Sequence, residues 1–232
     1  MDSLLARNVT ASRSTGSAPE RIEGLTLGFE PATLNLLFGP PESGRNLLLR
    51  LLGLLERPEA GEIVVTGAST QGWDAAQCAA LRNRHFGFVF ETPLLLPAFN
   101  VAENIAMPFF KSTEANPEEA REATRRVLAL VGMEEEAGTD VEELTEEAQQ
   151  RVALARALVL RPQALFVENL DTLARDSALI GLLDLLATTR HSEGCCIIAT
   201  ARSTDLVRFA DRAVEMAAGA VVRDWRPGSL LS

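Results

Sequence analysis

At 232 residues, 47% of them hydrophobic, the chain is long enough to bury a substantial core and fits one domain or one domain with a subdomain, which excludes a disordered protein. A formal net charge of −10 with a pI near 4.8 argues against a nucleic-acid backbone or an anionic membrane surface as the main partner and favours protein surfaces. Three cysteines, Cys78, Cys195 and Cys196, are too few for a disulfide framework, and the adjacent pair lies in an apolar run, so a reduced cytoplasmic compartment is expected.

The N-terminus lacks a long apolar core behind a basic end, and no apolar stretch reaches the ~18 residues of a membrane-spanning helix, so neither secretion nor membrane insertion is expected. Residues 12–19, rich in Ser, Gly and Thr, read as a loop. Short apolar runs bounded by Gly, Pro or polar residues then predict strands over 34–38, 62–66, 86–90, 164–167 and 195–200. Apolar residues at helical spacing predict helices over 118–131, 146–160 and 178–189, with loops at 112–117 and 134–139. Strands alternating with helices point to an α/β sandwich with a largely parallel sheet. The mostly helical stretch from about 92 to 144 interrupts that alternation and is expected to form a helical subdomain inserted in a core of residues 1–91 and 145–232.

Between the strand at 34–38 and a leucine-rich helix stands Gly39-Pro40-Pro41-Glu42-Ser43-Gly44-Arg45-Asn46. A strand, a glycine-bearing turn and a helix whose first N–H groups face an anion make a phosphate loop, and the outer glycines keep the G-x-x-x-x-G-K-[ST] spacing. Arg45 replaces the lysine and Asn46 the Mg²⁺-ligating hydroxyl. The planar guanidinium cannot reproduce a point-like ammonium between phosphates. The amide of Asn46 is an oxygen donor larger than the hydroxyl in a geometry that Mg²⁺ holds tightly. Glu42 is expected to place a carboxylate in the cradle, where like charges ~4 Å apart repel by roughly 1 kcal/mol in water and more when partly desolvated.

Further segments resemble ATP-binding-cassette ATPases over almost the whole chain, most closely the lipoprotein-release and macrolide-export type. Residues 51–63, Phe86-Gly87-Phe88-Val89-Phe90 and residues 95–108 are similar to the stretch after the phosphate loop, the strand leading to the family's glutamine, and the segment facing a transmembrane partner. The most specific match is Gln149-Gln150-Arg151-Val152-Ala153-Leu154-Ala155-Arg156-Ala157-Leu158, similar to the helix after the family signature. The resemblance implies a single α/β domain over 1–232 with the P-loop NTPase-like fold: a parallel-sheet core, an N-terminal antiparallel β part and the inserted helical subdomain.

Laid over the family pattern, the motif residues are substituted one after another. Leu144-Thr145-Glu146-Glu147-Ala148 stands at the Leu-Ser-Gly-Gly-Gln signature, putting two carboxylates where glycines admit a γ-phosphate, although Glu near a helix start also complements the macrodipole. Glu168-Asn169 replaces Asp-Glu, and neutral Asn169 cannot act as the general base, a loss of about 10² to 10⁴ in rate. Arg175, with Asp176 next to it, occupies the interface aspartate, Glu91 the glutamine that senses metal and water, Ala201 the switch histidine, and Arg13 the aromatic that stacks on adenine. His85 and His191 stand apart without a matching Cys or carboxylate cluster, so no transition metal is assigned.

The resemblance implies ATP and Mg²⁺ as ligands, and the substitutions imply weak or absent binding of both and no efficient hydrolysis. It also implies a dimer, either of two copies or with an active paralogue, and a transmembrane permease as partner, with the chain on the cytoplasmic side, peripheral to the membrane. Leu95, Leu96, Phe99, Met107 and Phe109 are expected to form the docking face. Two alternatives stand beside the degenerate cassette: a slow but genuine ATPase, and a soluble regulator that binds a nucleotide or anion at 39–46.

Overall fold

The computed structural model describes residues 3–15, 18–110, 116–173 and 194–228, together with 181, 183 and 185–189, which are helical. Two sheets organise the chain. The first is antiparallel, with β1 (Leu4–Thr15), β2 (Ala18–Phe29), β4 (Ala60–Val65) and β5 (Ala68–Ser69) in the order β2-β1-β4-β5. The second holds β3 (Leu34–Phe38), β6 (Phe86–Val89), β7 (Ala164–Val167), β8 (Cys196–Ala201), β9 (Arg212–Ala217) and β10 (Ala220–Trp225) in the order β10-β9-β3-β8-β7-β6. Five of its strands are mutually parallel, and β10 turns back antiparallel along β9.

The inner parallel strands β3, β7 and β8 are buried on both faces, which is why they read as continuous apolar runs. Their side chains alternate between two apolar clusters. Leu34, Leu36 and Phe38 join Leu165, Val167, Ile197 and Ala199 on one side, while Leu37, Ala164, Phe166, Cys196 and Ile198 face the other. The second cluster is filled by α1 (Arg45–Leu52), whose five leucines Leu47, Leu48, Leu49, Leu51 and Leu52 are all buried between the two sheets. Both faces of β3 are therefore covered, and its C-terminal end is delivered directly to the head of α1.

The insert contains α3 (Val101–Phe110) and α4 (Pro117–Val131), preceded in the chain by α2 (Ala75–His85) and followed by α5 (Glu146–Leu158). The first apolar cluster runs continuously from the sheet through α5 into both insert helices, including Ile105, Phe109, Val127 and Val152. Gly87 permits the close seating of α5 on β6, since a Cβ there would meet the Ala157 carbonyl oxygen at 2.4 Å.

Some expectations need correction. Residues 12–15 are strand, because pairing of Arg13 with Glu20 and its neighbours across a long hairpin outweighs the turn preference of Ser, Thr and Gly. Strands β9 and β10 carry no clear apolar run and went unread. Phe109 does not belong to a docking face: Val101, Ile105 and Phe109 recur every four residues and form the buried face of α3, leaving Phe110 outside at 70% exposure. Leu95 is half-buried against the core, whereas Leu96 and Phe99 are exposed and Met107 is half-buried beside a groove. The positions Arg175, Asp176 and His191, and most of the helix expected at 178–189, lie outside the described residues.

Candidate nucleotide site

After β3 the chain turns at Gly39, whose φ of 152° and whose approach to the Met216 carbonyl, 2.1 Å from where a Cβ would stand, leave no room for a side chain. A short 3₁₀ turn, Pro41–Ser43, follows, and Gly44 in the left-handed region (φ 87°) admits the chain to α1. Ser43 N–H donates to the Pro40 carbonyl at 3.0 Å, and the Ser43 carbonyl accepts from Gly219 N–H at 3.0 Å, so the loop is tied to the β9–β10 turn. Pro40 and Pro41 contribute no N–H at all.

Arg45 opens α1 with its side chain buried to 1% exposure. Its Nη1 donates back to the Pro40 carbonyl at 2.5 Å and its Nη2 to Asn169 Oδ1 at 3.2 Å, while Nε is buried without a partner. Asn46 Nδ2 donates to the same Asn169 oxygen at 3.3 Å, and Asn46 Oδ1 is buried without a donor. Asn169 in turn donates through Nδ2 to Glu91 Oε2 at 2.7 Å, and its backbone N–H is held by Thr200 Oγ1 at 2.8 Å from the end of β8. Its φ of 49° is the left-handed conformation that Asn tolerates better than most residues. Glu91 is capped outward by Arg202 at 3.5 Å. The chain of contacts Pro40, Arg45, Asn169, Glu91, Arg202 thus crosses the loop end of the sheet without interruption.

Beside it lies a cavity of about 530 Å³ lined by Arg13, Glu20, Pro41, Asn46, Arg50, Glu91, Glu168 and Arg202, among others. Four arginines, counting Arg45, face three glutamates there. Burial holds the Arg45 guanidinium below its ordinary pKa, against the opposing pull of Glu20 and Asp171. Glu20, only 5% exposed, has its pKa raised by burial, with Arg13 and Arg45 opposing the rise. Arg13, at the wall of the cavity, is 3.5 Å from Glu56, which also binds Arg50 at 2.6 Å.

The sequence-derived site residues divide accordingly. Arg13, Arg45, Asn46, Glu91, Glu168 and Asn169 converge, with Gly39, Pro40, Ser43 and Gly44 shaping the loop. Glu42 does not enter the cradle: in the 3₁₀ turn it points to solvent. Ala201 is fully buried in the apolar cluster and does not line the cavity. Leu144 packs on that cluster, Thr145 caps α5 by accepting the Ala148 N–H at 3.3 Å, and Glu146 and Glu147 are exposed, so the stretch from Leu144 to Ala148 lies apart from the cavity. Glu20, Pro41, Thr200 and Arg202 were missed. Pro41 was visible in the octapeptide as a lost donor, but Glu20 and Arg202 reach the site only through strand pairing.

Helix α5 closes the site from the insert side. Gln150 Nε2 donates to the Glu91 carbonyl at 2.8 Å, and Arg156 donates to the Pro93 and Leu94 carbonyls at 2.8 and 2.9 Å. Burial lowers the Arg156 pKa.

Comparison with known proteins bears on the fold and the family. The ABC transporter family model matches residues 22–169. The lipoprotein-releasing system ATP-binding protein LolD of Bordetella avium is 35% identical over 212 residues, covering 90% of this chain and 91% of that protein. The macrolide export ATP-binding/permease protein MacB of Rhodopseudomonas palustris is 30% identical over 88% of this chain, which spans 31% of MacB. The dimeric structure of the bacterial ABC transporter cassette MJ0796 superposes with a TM-score of 0.87 at 24% identity, covering 97% of this chain and 98% of that one, and shows the shared fold. A dimeric post-hydrolysis state of the same cassette, bound to ADP and Pi, superposes with a TM-score of 0.86 at 26% identity over the same shares. With the phosphate-loop turn at the head of α1 and the family match running from β2 to Asn169, the chain belongs to the ATP-binding-cassette family of ABC transporters.

Proposed function

We propose that the chain is a catalytically silent cassette, kept as a docking or regulatory scaffold for a transmembrane permease of the lipoprotein-release or macrolide-export type, or for an active paralogue, at the cytoplasmic face of the membrane. The observation that carries this reading is the closed hydrogen-bond network from Pro40 through Arg45 and Asn169 to Glu91. A magnesium nucleotide does not fit these residues on three counts. Two prolines remove N–H donors from the loop. The Arg45 guanidinium is spent on a backbone carbonyl and an amide of its own chain. Where the attacking water needs a base, Asn169 is neutral and already engaged through both side-chain atoms.

Docking is supported by a groove of about 530 Å³ between β6 and α3, lined by Phe88, Leu94, Leu96, Met107, Arg156 and Leu160. Leu94 at 59%, Leu96 at 37% and Phe99 at 37% exposure extend its apolar edge. Among the described residues no helix is long and apolar enough to cross a membrane.

The test is calorimetric titration of the purified chain with Mg-ATP, followed on the same sample by phosphate release. No turnover is expected, with weak or no binding heat; turnover that disappears in Arg45→Ala overturns the proposal. Slow hydrolysis is the second reading, favoured by the orphaned Asn46 Oδ1 and by Glu168 in the same cavity, two oxygens suited to a divalent cation. Recovery of a permease with Leu96 and Phe99 intact, and its loss in Leu96→Ser/Phe99→Ser, tests the docking half.

A further inference from the structure

A second and larger cavity, about 780 Å³, lies in the helical insert between α3 and α4, away from the phosphate loop. Its volume is that of a small-molecule site. On α4 it is lined by Pro117, Ala120, Arg121, Thr124, Arg125 and Leu128, which recur at three- and four-residue spacing and make one stripe of the helix. On α3 it meets Ala102, Ala106, Phe109 and Phe110.

Thr124 is the informative residue. It is 6% exposed, and its hydroxyl is buried with no hydrogen-bond partner. A helical threonine ordinarily donates to the carbonyl four residues back, so the orphan hydroxyl of this cavity-lining residue keeps a hydrogen-bonding capacity that the protein itself leaves unused. Arg121 and Arg125 flank it on the same stripe. Arg121 reaches Glu118 at 3.0 Å in an exposed pair, and Arg125 makes no ion pair among the described residues. At the same cavity Phe110 stands 70% exposed, a large aromatic surface without cover. Two carboxylates also line it. Glu103 accepts the Asn100 N–H at 3.0 Å as part of the α3 cap, and Glu134 lies beyond the C-terminal end of α4.

The geometry points to a binding site for a small amphiphilic anion, its carboxylate or similar head taken by Thr124 Oγ1–H and Arg125 and its apolar body laid over Ala106, Phe109, Leu128 and Phe110. On α4 the polar groups Arg121, Thr124 and Arg125 sit together in the middle of the stripe, and Ala102, Ala106, Phe109, Phe110 and Leu128 supply apolar lining around them. This site is independent of nucleotide chemistry, so it stands or falls separately from the silent-cassette reading.

The experiment is calorimetric titration of the full chain with decanoate and, as the uncharged counterpart, 1-decanol. Saturable binding of one decanoate per chain is expected. Ala106→Phe, which fills the cavity, lowers the affinity for both by about tenfold or more. Arg121→Ala/Arg125→Ala weakens decanoate by about three- to fivefold and leaves decanol unchanged. Thr124→Val raises the melting temperature of the free chain, because the orphan hydroxyl is gone, while weakening decanoate; this variant keeps the test decisive should Ala106→Phe not fold. Absence of saturable binding, binding indifferent to Ala106→Phe and Thr124→Val, or equal effects of the arginine changes on decanoate and decanol would overturn the assignment.

Discussion

Truncating Asn169 to Ala removes the one acceptor shared by Arg45 Nη2 and Asn46 Nδ2 and the donor to Glu91. Arg45 is 1% exposed and already carries an unpartnered Nε, so its second lost contact leaves a buried guanidinium held chiefly by the Pro40 carbonyl. An unsatisfied buried donor of this kind costs about 1–3 kcal/mol. The half-buried Asn46 and the exposed Glu91 add less, and an Ala at φ 49° costs about 1 kcal/mol relative to Asn. The sum, about 3 kcal/mol, corresponds to a fall in melting temperature of roughly 6–12 °C for a domain of this size. In an Arg45→Met background the charge is no longer there to strand, and the same Asn169→Ala change should cost only about 1 kcal/mol, a coupling near 2 kcal/mol in a double-mutant cycle. Equilibrium urea unfolding of the four proteins measures it. Additive costs, or a melting-temperature change below about 1 °C for Asn169→Ala, would refute the claim that Asn169 satisfies Arg45 inside the loop.

Glu20 supplies a pH test. Its folded pKa is raised above the ordinary 4.5, so the folded state holds the proton more tightly than the unfolded chain. Stability from this group is therefore fully present at low pH and lost as pH rises from about 4.5 through the folded pKa. Glu20→Gln is expected to raise the melting temperature at pH 7 and flatten its dependence on pH above 4.5; an unchanged profile counts against the burial argument. Arg156→Ala removes two hydrogen bonds to the carbonyls of residues 93 and 94 and the apolar stem beneath them, with a loss of about 2 kcal/mol and faster amide hydrogen exchange over residues 91–96. Arg156→Lys is expected to recover only part of it, because one ammonium cannot span both carbonyls in the geometry of the guanidinium fork.

How far the sequence could be read depended on where each signal was stored. Strands β3, β7 and β8 were legible because burial on both faces makes them unbroken apolar runs, and α4 because a one-sided stripe recurs with helical period. The long hairpin of β1 and β2 was not, since its residues 12–15 are favoured in turns and are held as strand only by pairing. Phe109 and Phe110 show the limit within one element: adjacent aromatics look equivalent until the 3.6-residue period, anchored by Val101 and Ile105, buries one and exposes the other.

The sequence by itself determined the family, the strand-loop-helix placement of the octapeptide, and the chemical identities that matter at it: a guanidinium for an ammonium, an amide for a carboxylate, prolines for N–H donors. Those are properties of single residues at known spacing. Only the tertiary structure decided that Arg45 turns back on Pro40 and meets Asn169, 124 positions away, that Glu42 faces solvent while Glu20 is the carboxylate buried at the cavity, and that Thr124 lacks a partner. Each of these is a matter of which long-range neighbour satisfies a polar group once water is excluded, and the burial that imposes it exists only after the sheets and helices have packed.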